Sequence, residues 1–269
     1  MKRLLSIIAA AAFCGGATAA EDLPIFDAHI HYSHDAVEFV PPEEVAKILR
    51  DAGVRKALVS SSDDRGTQLL LAAAPDIIVP SLRPYRRRGA IGTWMHDPKV
   101  IDYMTEKLAQ FDYEAIGEFH AFGDDIQTDV IQTMIGMARE RNLLLHHHGD
   151  REALDQILET WPEARVLWAH SGFARPDEVA DTLRTYPRVW ADLAFRSDMA
   201  AGDGVDADWR ALFEEFPDRF MVGTDTFAPE RWYYVGRHAD FSRAWLAALP
   251  EDLARKIAYE NAEAMVASK

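Results

Sequence analysis

Histidine and aspartate side chains end four short apolar segments of this chain. Each segment is an apolar run that closes on His or Asp and is followed by small or polar residues, and the four lie at residues 25–31, 143–150, 166–172 and 220–226. Imidazole and carboxylate groups are suitable ligands for divalent metal ions. Parallel strands of a barrel bring their carboxyl ends to one mouth, so the four ends are predicted to share a metal site. The chemistry expected of such a site is metal-dependent hydrolysis or a lyase reaction.

The first segment carries His29 and His31, two residues apart. Side chains two apart on a strand face the same side, so both imidazoles are predicted to bind one ion. The competing interpretation is a pair of polar residues at a solvated strand end, but the similar ends of later strands favour ligands. Asp27 has the same alternation and is expected to orient a ligand as a hydrogen-bond acceptor.

Three consecutive histidines, His146, His147 and His148, end the second segment. Alternation along a strand directs either His147 or the pair His146 and His148 to the mouth. We favour His147 as the metal ligand, with a tight turn at His148-Gly149. His146 or His148 is then expected to cap the barrel or to contact substrate.

The last two segments end in His170 and Asp225. A histidine in such a position can instead satisfy a backbone carbonyl, and an aspartate can cap the next helix. His170 is followed by a Ser-Gly loop, whereas Asp225 is followed by Pro229 and an aromatic stretch rather than a clear helix. We therefore predict that both act on the metal or in catalysis, Asp225 as a ligand or general base.

Four further side chains lie within or just after strand-like runs and are predicted at the same mouth. Glu118 has three interpretations, since it could coordinate one ion, bridge two ions, or form a buried salt bridge. His120 shares its alternation and is expected to contact substrate. Arg83 and Arg196 are predicted to bind a substrate carboxylate, because a guanidinium holds that group with two parallel hydrogen bonds.

Short runs rich in Val, Ile and Leu alternate with longer stretches of helical spacing. Strands are predicted at residues 25–31, 56–60, 77–82, 115–119, 143–147, 165–170, 189–193 and 220–225. Helices are predicted at residues 42–52, 64–74, 98–111, 126–141, 151–160, 175–185, 206–216, 241–249 and 251–267. Strands joined by crossover helices are parallel, and eight repeats favour a closed (β/α)8 TIM barrel over an open doubly wound sheet. A single domain at residues 21–269 is the prediction.

The first twenty residues have the composition of an export leader. Lys2 and Arg3 precede an apolar stretch at residues 4–13, and small residues follow at 17–19. We expect a signal peptide at residues 1–20 and a periplasmic or secreted mature protein, with a buried N-terminal helix or a lipoprotein at Cys14 as weaker alternatives. Cys14 is the only cysteine, so the mature chain is expected to hold its metal with imidazole and carboxylate alone.

The composition also limits the partners of this 269-residue chain. Its formal net charge is −15, with 48% hydrophobic and 27% charged residues, the last two being ordinary for a soluble globular protein. The negative charge repels phosphate backbones and argues against nucleic acid. We expect a small-molecule substrate and no membrane insertion after leader cleavage, and leave an oligomeric state open.

The ordered set of metal-binding residues resembles the amidohydrolase superfamily, and more narrowly amidohydrolase family 2. The matching residues are His29-Ile30-His31, Glu118, His147, His170 and Asp225. That group includes lactonases of pyrone dicarboxylates and decarboxylases of aminocarboxymuconate semialdehyde. The resemblance covers about the whole mature chain, and residues 258–262 are similar to the family's closing Asn-Ala helix. Glu118 resembles the carboxylate ligand of the TatD-like branch, and no Lys stands where other branches use a carboxylated Lys.

The resemblance implies a mechanism with metal-activated water. A bound ion lowers the pKa of its water, Asp225 takes the proton and later delivers it to the leaving group, and His170 polarises the scissile oxygen or serves as a ligand. The implied ion is Zn²⁺, with Mn²⁺ as the alternative, in one or two copies.

The leading hypothesis is an exported hydrolase of an amide, lactone or ester bond in a small, carboxylated organic substrate. The first alternative is a non-oxidative decarboxylase on the same metal site, which would release carbon dioxide. A TatD-like phosphodiesterase is a second alternative, disfavoured by the acidic composition and the lack of a basic patch. A metal-binding scaffold without activity is the third, and it need not carry stoichiometric metal.

Overall fold

Eight parallel strands form the centre of the structure, a computed structural model that describes residues 23–202 and 204–268. The strands are β1 (Ile25–His31), β2 (Val54–Ser60), β3 (Ile78–Leu82), β4 (Ala115–His120), β5 (Leu144–His148), β6 (Val166–Trp168), β7 (Val189–Asp192) and β8 (Phe220–Met221). Each strand pairs with the next along the chain. The barrel closes where the Ala28 N–H donates to the Val222 carbonyl oxygen at 2.9 Å and Ile30 bridges Thr226. The predicted (β/α)8 TIM barrel is confirmed, whereas the predicted signal peptide at residues 1–20 lies outside the described residues.

Helices surround the barrel. They are α1 (His34–Phe39), α2 (Pro42–Asp51), α3 (Arg65–Ala73), α4 (Lys99–Gln110), α5 (Asp129–Glu140), α6 (Arg151–Thr160), α7 (Pro176–Thr185), α8 (Ala207–Glu215), α9 (Val235–Leu246), α10 (Glu251–Arg255) and α11 (Asn261–Ala267). A π-helical turn at Lys256–Glu260 joins the last two, where the sequence predicted one continuous helix. No helix within the described ranges is both long and apolar enough to cross a bilayer.

The start of α2 illustrates how the sequence forms these helices. Pro42 occupies the first helical position, where its missing N–H costs nothing, and Glu43 and Glu44 lie in the first turn near the positive end of the helix dipole. One face of the helix buries Val45 and Leu49 against the barrel. The helix begins at residue 42, as the sequence predicted from the same proline and glutamates.

Two strands are at least three residues shorter than the sequence suggested. Strand β6 ends at Trp168 because the following residues form a tight 3₁₀ turn, in which His170 and Ser171 have φ of 56° and 51°. Strand β8 ends at Met221, and Asp225 also has a left-handed φ of 46°. Each shortening turns a histidine or an aspartate off the strand and into the mouth.

Apolar side chains fill the floor of the barrel. Phe26, Leu144, Leu167 and Met221 point inward from four strands, and Met265 of α11 closes the floor from below. Burying a side chain of this size contributes about 1.5–3 kcal/mol. The floor fixes the inward positions of each strand, and so decides which residues above it face the mouth.

Candidate metal centre

Five side chains from distant parts of the chain converge above the apolar floor. The Nε2 atoms of His29 and His31 are 3.1 Å apart. Glu118 places Oε2 3.0 Å from His31 Nε2 and Oε1 3.4 Å from His29 Nε2. Asp225 Oδ1 is 3.3 Å from His31 Nε2, and His170 Nε2 is 3.7 Å from Glu118 Oε1. The structure therefore brings together five of the residues predicted as ligands.

The ring nitrogens on the far side of the three imidazoles are engaged by other residues. His29 Nδ1 lies 3.1 Å from Asp192 Oδ2, His31 Nδ1 lies 2.9 Å from Ser60 Oγ, and His170 Nδ1 lies 2.9 Å from the Ala194 carbonyl oxygen. A carboxylate or a carbonyl can only accept, so His29 and His170 donate from Nδ1. Their Nε2 atoms then carry lone pairs directed at the centre, which is the arrangement a divalent cation requires. The donor set fits a metal ion.

Asp192, at the end of β7, was not predicted from the sequence as a site residue. Its Oδ2 accepts from His29 Nδ1 and lies 3.4 Å from His146 Nε2, while Oδ1 accepts the backbone N–H of His170 at 3.0 Å. Asp192 thus orients one ligand through its ring and another through its backbone. The signal in the sequence was a carboxylate inside the apolar run at residues 189–193.

The prediction that His147 faces the mouth is wrong. Leu144 points into the barrel floor, and strict alternation along β5 then directs His146 and His148 inward and His147 outward. His147 packs against Phe119 outside the barrel, and its Nε2 lies 3.0 Å from the Ala121 carbonyl oxygen. Because three consecutive leucines precede the histidines, the sequence did not indicate which residues of β5 point into the barrel.

His148 occupies the inward position instead. Its Nδ1 donates to Glu118 Oε1 at 2.6 Å, and its ring stacks on that of His120 at 3.9 Å between centroids. His120 Nδ1 lies 2.8 Å from the Tyr85 hydroxyl. Glu118, His120 and His148 form a second group whose ligand atoms lie close enough together to hold a cation.

The charges in this cluster stabilise one another although most of them are buried. Burial opposes ionisation of Glu118, but His29 and hydrogen bonds from His148 and His170 bring its pKa well below the ordinary value. Burial likewise opposes ionisation of Asp225, and His29 and His31 lower its pKa. For His29 burial favours the neutral ring, but the carboxylates of Asp225, Asp192 and Glu118 raise its pKa well above the ordinary value. The carboxylates therefore favour a positive charge at His29 Nε2, which either a second proton or a bound cation in its place would supply.

The two arginines predicted to bind substrate are engaged by the protein itself. Arg83 donates from one terminal nitrogen to Glu118 Oε2 at 2.6 Å and from Nε to the Glu118 carbonyl oxygen at 3.1 Å. Arg196 donates to the carbonyl oxygens of His170 and Ala174 and to the Asp198 carboxylate. Arg83 still borders the mouth, but the prediction for Arg196 is wrong, because each of its nitrogens already has an acceptor.

Asp27 orients β1 and β8 rather than an imidazole. Its Oδ1 accepts the backbone N–H groups of His29 at 3.1 Å and Thr224 at 3.0 Å, and Oδ2 accepts the Thr224 hydroxyl at 2.6 Å. Burial raises the pKa of Asp27 to about 6. The expected acceptor role is therefore exerted on the backbone, and the ring of His29 is held by Asp192.

Glycine is required immediately before Glu118. Gly117 has φ of +128°, and a Cβ atom there would lie 2.2 Å from the His146 carbonyl oxygen. Only glycine permits both the backbone conformation and the contact between β4 and β5. The Gly-Glu pair in the sequence therefore has a local steric cause.

Apolar side chains surround the mouth. Phe122, Phe173, Phe195 and Phe227 are each about half exposed, as is Ile91. Ile91 and Phe227 border a cavity of about 250 Å³, which is lined at its base by His31, Glu118, His120, His148 and Asp225. A small organic molecule would meet polar groups at the base and phenyl rings at the rim.

The chain belongs to the amidohydrolase family, whose family model matches residues 82–267. The predicted family is thereby confirmed, and the chain is a metal-dependent hydrolase that acts on a small molecule. Members of this family usually bind a divalent metal, and the cluster of His, Glu and Asp side chains offers the ligands. No curated protein is significantly similar in sequence.

Several crystal structures share the fold. An uncharacterised TIM-barrel protein from Bordetella bronchiseptica is 14% identical with a TM-score of 0.63, covering 91% of this chain and 99% of its own. A probable 2-pyrone-4,6-dicarboxylic acid hydrolase from Acinetobacter baumannii, with citric acid bound, is 14% identical with a TM-score of 0.53 and coverages of 90% and 99%. A TatD family hydrolase from Entamoeba histolytica is 9% identical with a TM-score of 0.55 and coverages of 90% and 98%. At these identities the similarity establishes the fold alone.

Proposed function

We propose that this protein is an exported hydrolase that cleaves an amide, lactone or ester bond in a small carboxylated substrate. One observation carries the proposal, namely that the Nε2 atoms of His29 and His31 lie 3.1 Å apart beside two ionised carboxylates. Two imidazole lone pairs at this distance repel unless a proton or a metal ion lies between them. In a metal-dependent family, a divalent ion is the natural occupant.

His29, His31, His170 and Asp225 would hold the ion, with Glu118 completing the ligand set. When bound, such an ion lowers the pKa of a coordinated water and polarises an oxygen of the substrate. Imidazole and carboxylate ligands suit Zn²⁺, with Mn²⁺ as the alternative. Glu118, His120 and His148 offer a second position, and the metal stoichiometry decides between one ion and two.

Asp225 is the side chain best placed to move a proton. It borders the mouth cavity with 13% of its side chain exposed, and its lowered pKa keeps the carboxylate ionised at neutral pH. It would accept the proton of the attacking water and return it to the leaving group. His170 is 1% exposed and does not border this cavity, so we assign it to the metal rather than to the substrate.

His120 and His148 border the cavity and would contact the substrate. Their rings stack, and His148 is tied to Glu118 by a short hydrogen bond. Burial lowers the pKa of His120 to about 3, so its imidazole is neutral at pH 7. A neutral ring contributes a hydrogen bond without adding charge, which suits a polarised but uncharged ester or amide oxygen.

The bound citric acid in the Acinetobacter baumannii structure supports a carboxylated substrate. The aromatic rim favours an apolar or aromatic body attached to that carboxylate. The acidic composition disfavours nucleic acid, and residues 1–20 support export. Cell fractionation together with the N-terminal sequence of the mature protein would test the export.

The decisive experiment measures metal and turnover together. Purified protein is analysed for Zn²⁺ and Mn²⁺ by mass spectrometry, then screened against lactones, esters, amides, phosphodiesters and carboxylated aromatics, with detection of released carbon dioxide. We expect stoichiometric metal and hydrolysis of a lactone, ester or amide that stops on chelation. Carbon dioxide release without water addition, or hydrolysis confined to phosphodiesters, would replace the proposal with one of its alternatives.

Asp225→Asn tests the proton-transfer role. The amide keeps the shape of the carboxylate but cannot accept a proton, so turnover should fall by about 10²- to 10⁴-fold while metal remains bound. Asp64→Asn is the matched control, because Asp64 is a buried carboxylate that hydrogen-bonds Tyr113 away from the cluster. Wild-type turnover in Asp225→Asn would refute the assignment.

A further inference from the structure

A second cavity lies beside the metal centre, behind the rings of Phe195 and Phe227. Its volume is about 300 Å³, and Gly223 and Thr224, the two residues before Asp225, form one wall. Phe195 lines this cavity, whereas Phe227 lines the cavity above the metal centre, and the two rings are 6.5 Å apart. The two cavities therefore share a boundary of two phenyl rings.

Arg231 brings a cation to this second cavity. One terminal nitrogen donates to the Thr224 carbonyl oxygen at 2.8 Å, and the guanidinium lies 4.7 Å and 5.7 Å from the ring centroids of Phe195 and Phe227. Its Nε is buried and makes no hydrogen bond to the described residues. Among residues 23–202 and 204–268, Arg231 has no ion pair. Because Arg231 lines this cavity, an anionic ligand there would supply the carboxylate partner that its guanidinium lacks among the described residues.

His238 of α9 lines the same cavity and has an unused donor or acceptor. Its Nδ1 is buried without a hydrogen-bond partner among the described residues. Burial and the neighbouring Arg231 lower the pKa of His238, so its ring is neutral and adds a hydrogen bond rather than a charge. Arg231 and His238 thus line one cavity, and each has a buried nitrogen without a partner among the described residues.

The other lining residues make the cavity selective for an anion with an apolar body. Arg196 also borders it but is neutralised by Asp198 at 2.7 Å, and the described lining includes no acidic side chain. Phe241, Trp245 and Met199 supply apolar surface. The volume is about twice the roughly 150 Å³ of an apolar cavity that accommodates benzene, so an aromatic ring and a carboxylate fit together.

We propose that this cavity is the carboxylate subsite of the enzyme, in which Arg231 and His238 bind the carboxylate of an aromatic or similarly apolar acid. The inference rests on the proposed function in one respect only, that the bound acid is part of the substrate whose scissile bond lies over the metal centre. Substrate carboxylate binding is thereby assigned to Arg231 rather than to Arg83, which is paired with Glu118, or to Arg196, whose three nitrogens all have acceptors in the protein.

Benzoate and its uncharged isostere benzamide test the subsite directly. Metal-loaded protein is titrated with each by calorimetry and by tryptophan fluorescence, since Trp245 lines the cavity. We expect benzoate to bind at least about tenfold more tightly than benzamide, and Arg231→Gln to remove that preference while leaving benzamide binding unchanged. Arg237→Gln is the matched control, because Arg237 is exposed on the same segment and its loss should change neither affinity.

A carboxylate can also bind a metal ion, so the titration is repeated after chelation. Benzoate binding that persists in metal-free protein and is lost in Arg231→Gln supports the subsite. Benzoate binding that vanishes on chelation and survives in Arg231→Gln places the anion on the metal and overturns the inference, as does wild-type protein that does not distinguish benzoate from benzamide. Arg231→Lys, which keeps the charge, should retain part of the preference and covers the case in which Arg231→Gln does not fold.

The two proposals fail separately. If the metal screen finds no hydrolysis but benzoate binds through Arg231, the proposed function is wrong and the binding site stands. If an uncharged ester is hydrolysed and Arg231→Gln leaves the KM for carboxylated substrates unchanged, the subsite is wrong and the hydrolase stands. If Arg231→Gln raises the KM for carboxylated substrates at least about tenfold and leaves kcat nearly unchanged, both the hydrolase function and the carboxylate subsite are supported.

Discussion

The floor and the mouth of the barrel are both buried, yet they are built from opposite chemistry. At the floor, Phe26, Leu144, Leu167 and Met221 exclude water by packing. At the mouth, imidazoles and carboxylates with less than a few per cent exposure are kept in place by one another, as at His29 and Asp192. Apolar packing at the floor stabilises the folded state. Burial of charged groups at the mouth lowers that stability, because the charges lose their hydration. Substitutions at the floor should therefore lower the free energy of unfolding, whereas substitutions at the mouth should lower metal affinity or turnover.

A floor substitution should lower stability and leave the metal alone. Leu144→Ala removes a fully buried side chain from the floor, so the free energy of unfolding should fall by about 2–5 kcal/mol through lost transfer energy and the cavity left behind. Denaturant unfolding would measure this, with metal content per folded molecule unchanged. Leu71→Ala, at a partly buried position on α3, is the control and should cost less. Loss of metal from a still-folded Leu144→Ala protein would mean that floor and mouth are not separable.

A buried carboxylate without imidazole partners should behave unlike those at the mouth. Asp64 accepts a hydrogen bond from the Tyr113 hydroxyl at 2.7 Å, and burial raises the pKa of Asp64 from 3.8 to about 6. The folded state then binds more protons than the unfolded state between these two values, so this carboxylate lowers stability as pH rises from about 4 to about 6.

Asp64→Asn keeps an acceptor for Tyr113 and cannot ionise. Relative to wild type, the variant should therefore gain up to about 3 kcal/mol of stability at pH 7 compared with pH 4. Denaturant unfolding at the two pH values measures the difference, and Asp63→Asn, at the exposed neighbouring position, should not reproduce it. Parallel pH profiles for wild type and Asp64→Asn would contradict the raised pKa.

At the mouth, an orienting residue should affect the metal more than the fold. Asp192→Asn replaces the carboxylate that accepts from His29 Nδ1 and from the backbone N–H of His170. Metal affinity should fall by about 10- to 100-fold, because the amide presents a donor where the ring needs an acceptor. Competition with a chelator would measure the affinity, and Asp97→Asn, which alters a carboxylate paired with Arg86, is the control. Unchanged affinity would show that His29 does not need Asp192.

The sequence predicted the barrel and much of the mouth for the same reason. Parallel strands that are buried on both faces have apolar sequences, so they can be recognised along the chain. Because the carboxyl ends of barrel strands meet at one end, His29, Glu118 and Asp225 could be expected to converge. Hydrogen-bond partners were not predictable in this way. Arg196 and Arg231 both follow barrel strands, and only the packed structure shows that Arg196 meets Asp198 while Arg231 meets no carboxylate among the described residues.

The histidine triplet of β5 is the finest test of the difference between floor and mouth, because adjacent residues belong to different environments. His147→Asn should leave metal content and turnover unchanged and cost about 1 kcal/mol for its lost hydrogen bond to Ala121. His148→Asn should impair turnover, because His148 donates to Glu118 beside the proposed metal position. Metal analysis and kinetics on the two variants show which histidine points into the mouth, and each variant serves as the control for the other. Loss of metal in His147→Asn with normal activity in His148→Asn would mean that β5 is shifted by one residue, and with it the assignment of Leu144 to the floor.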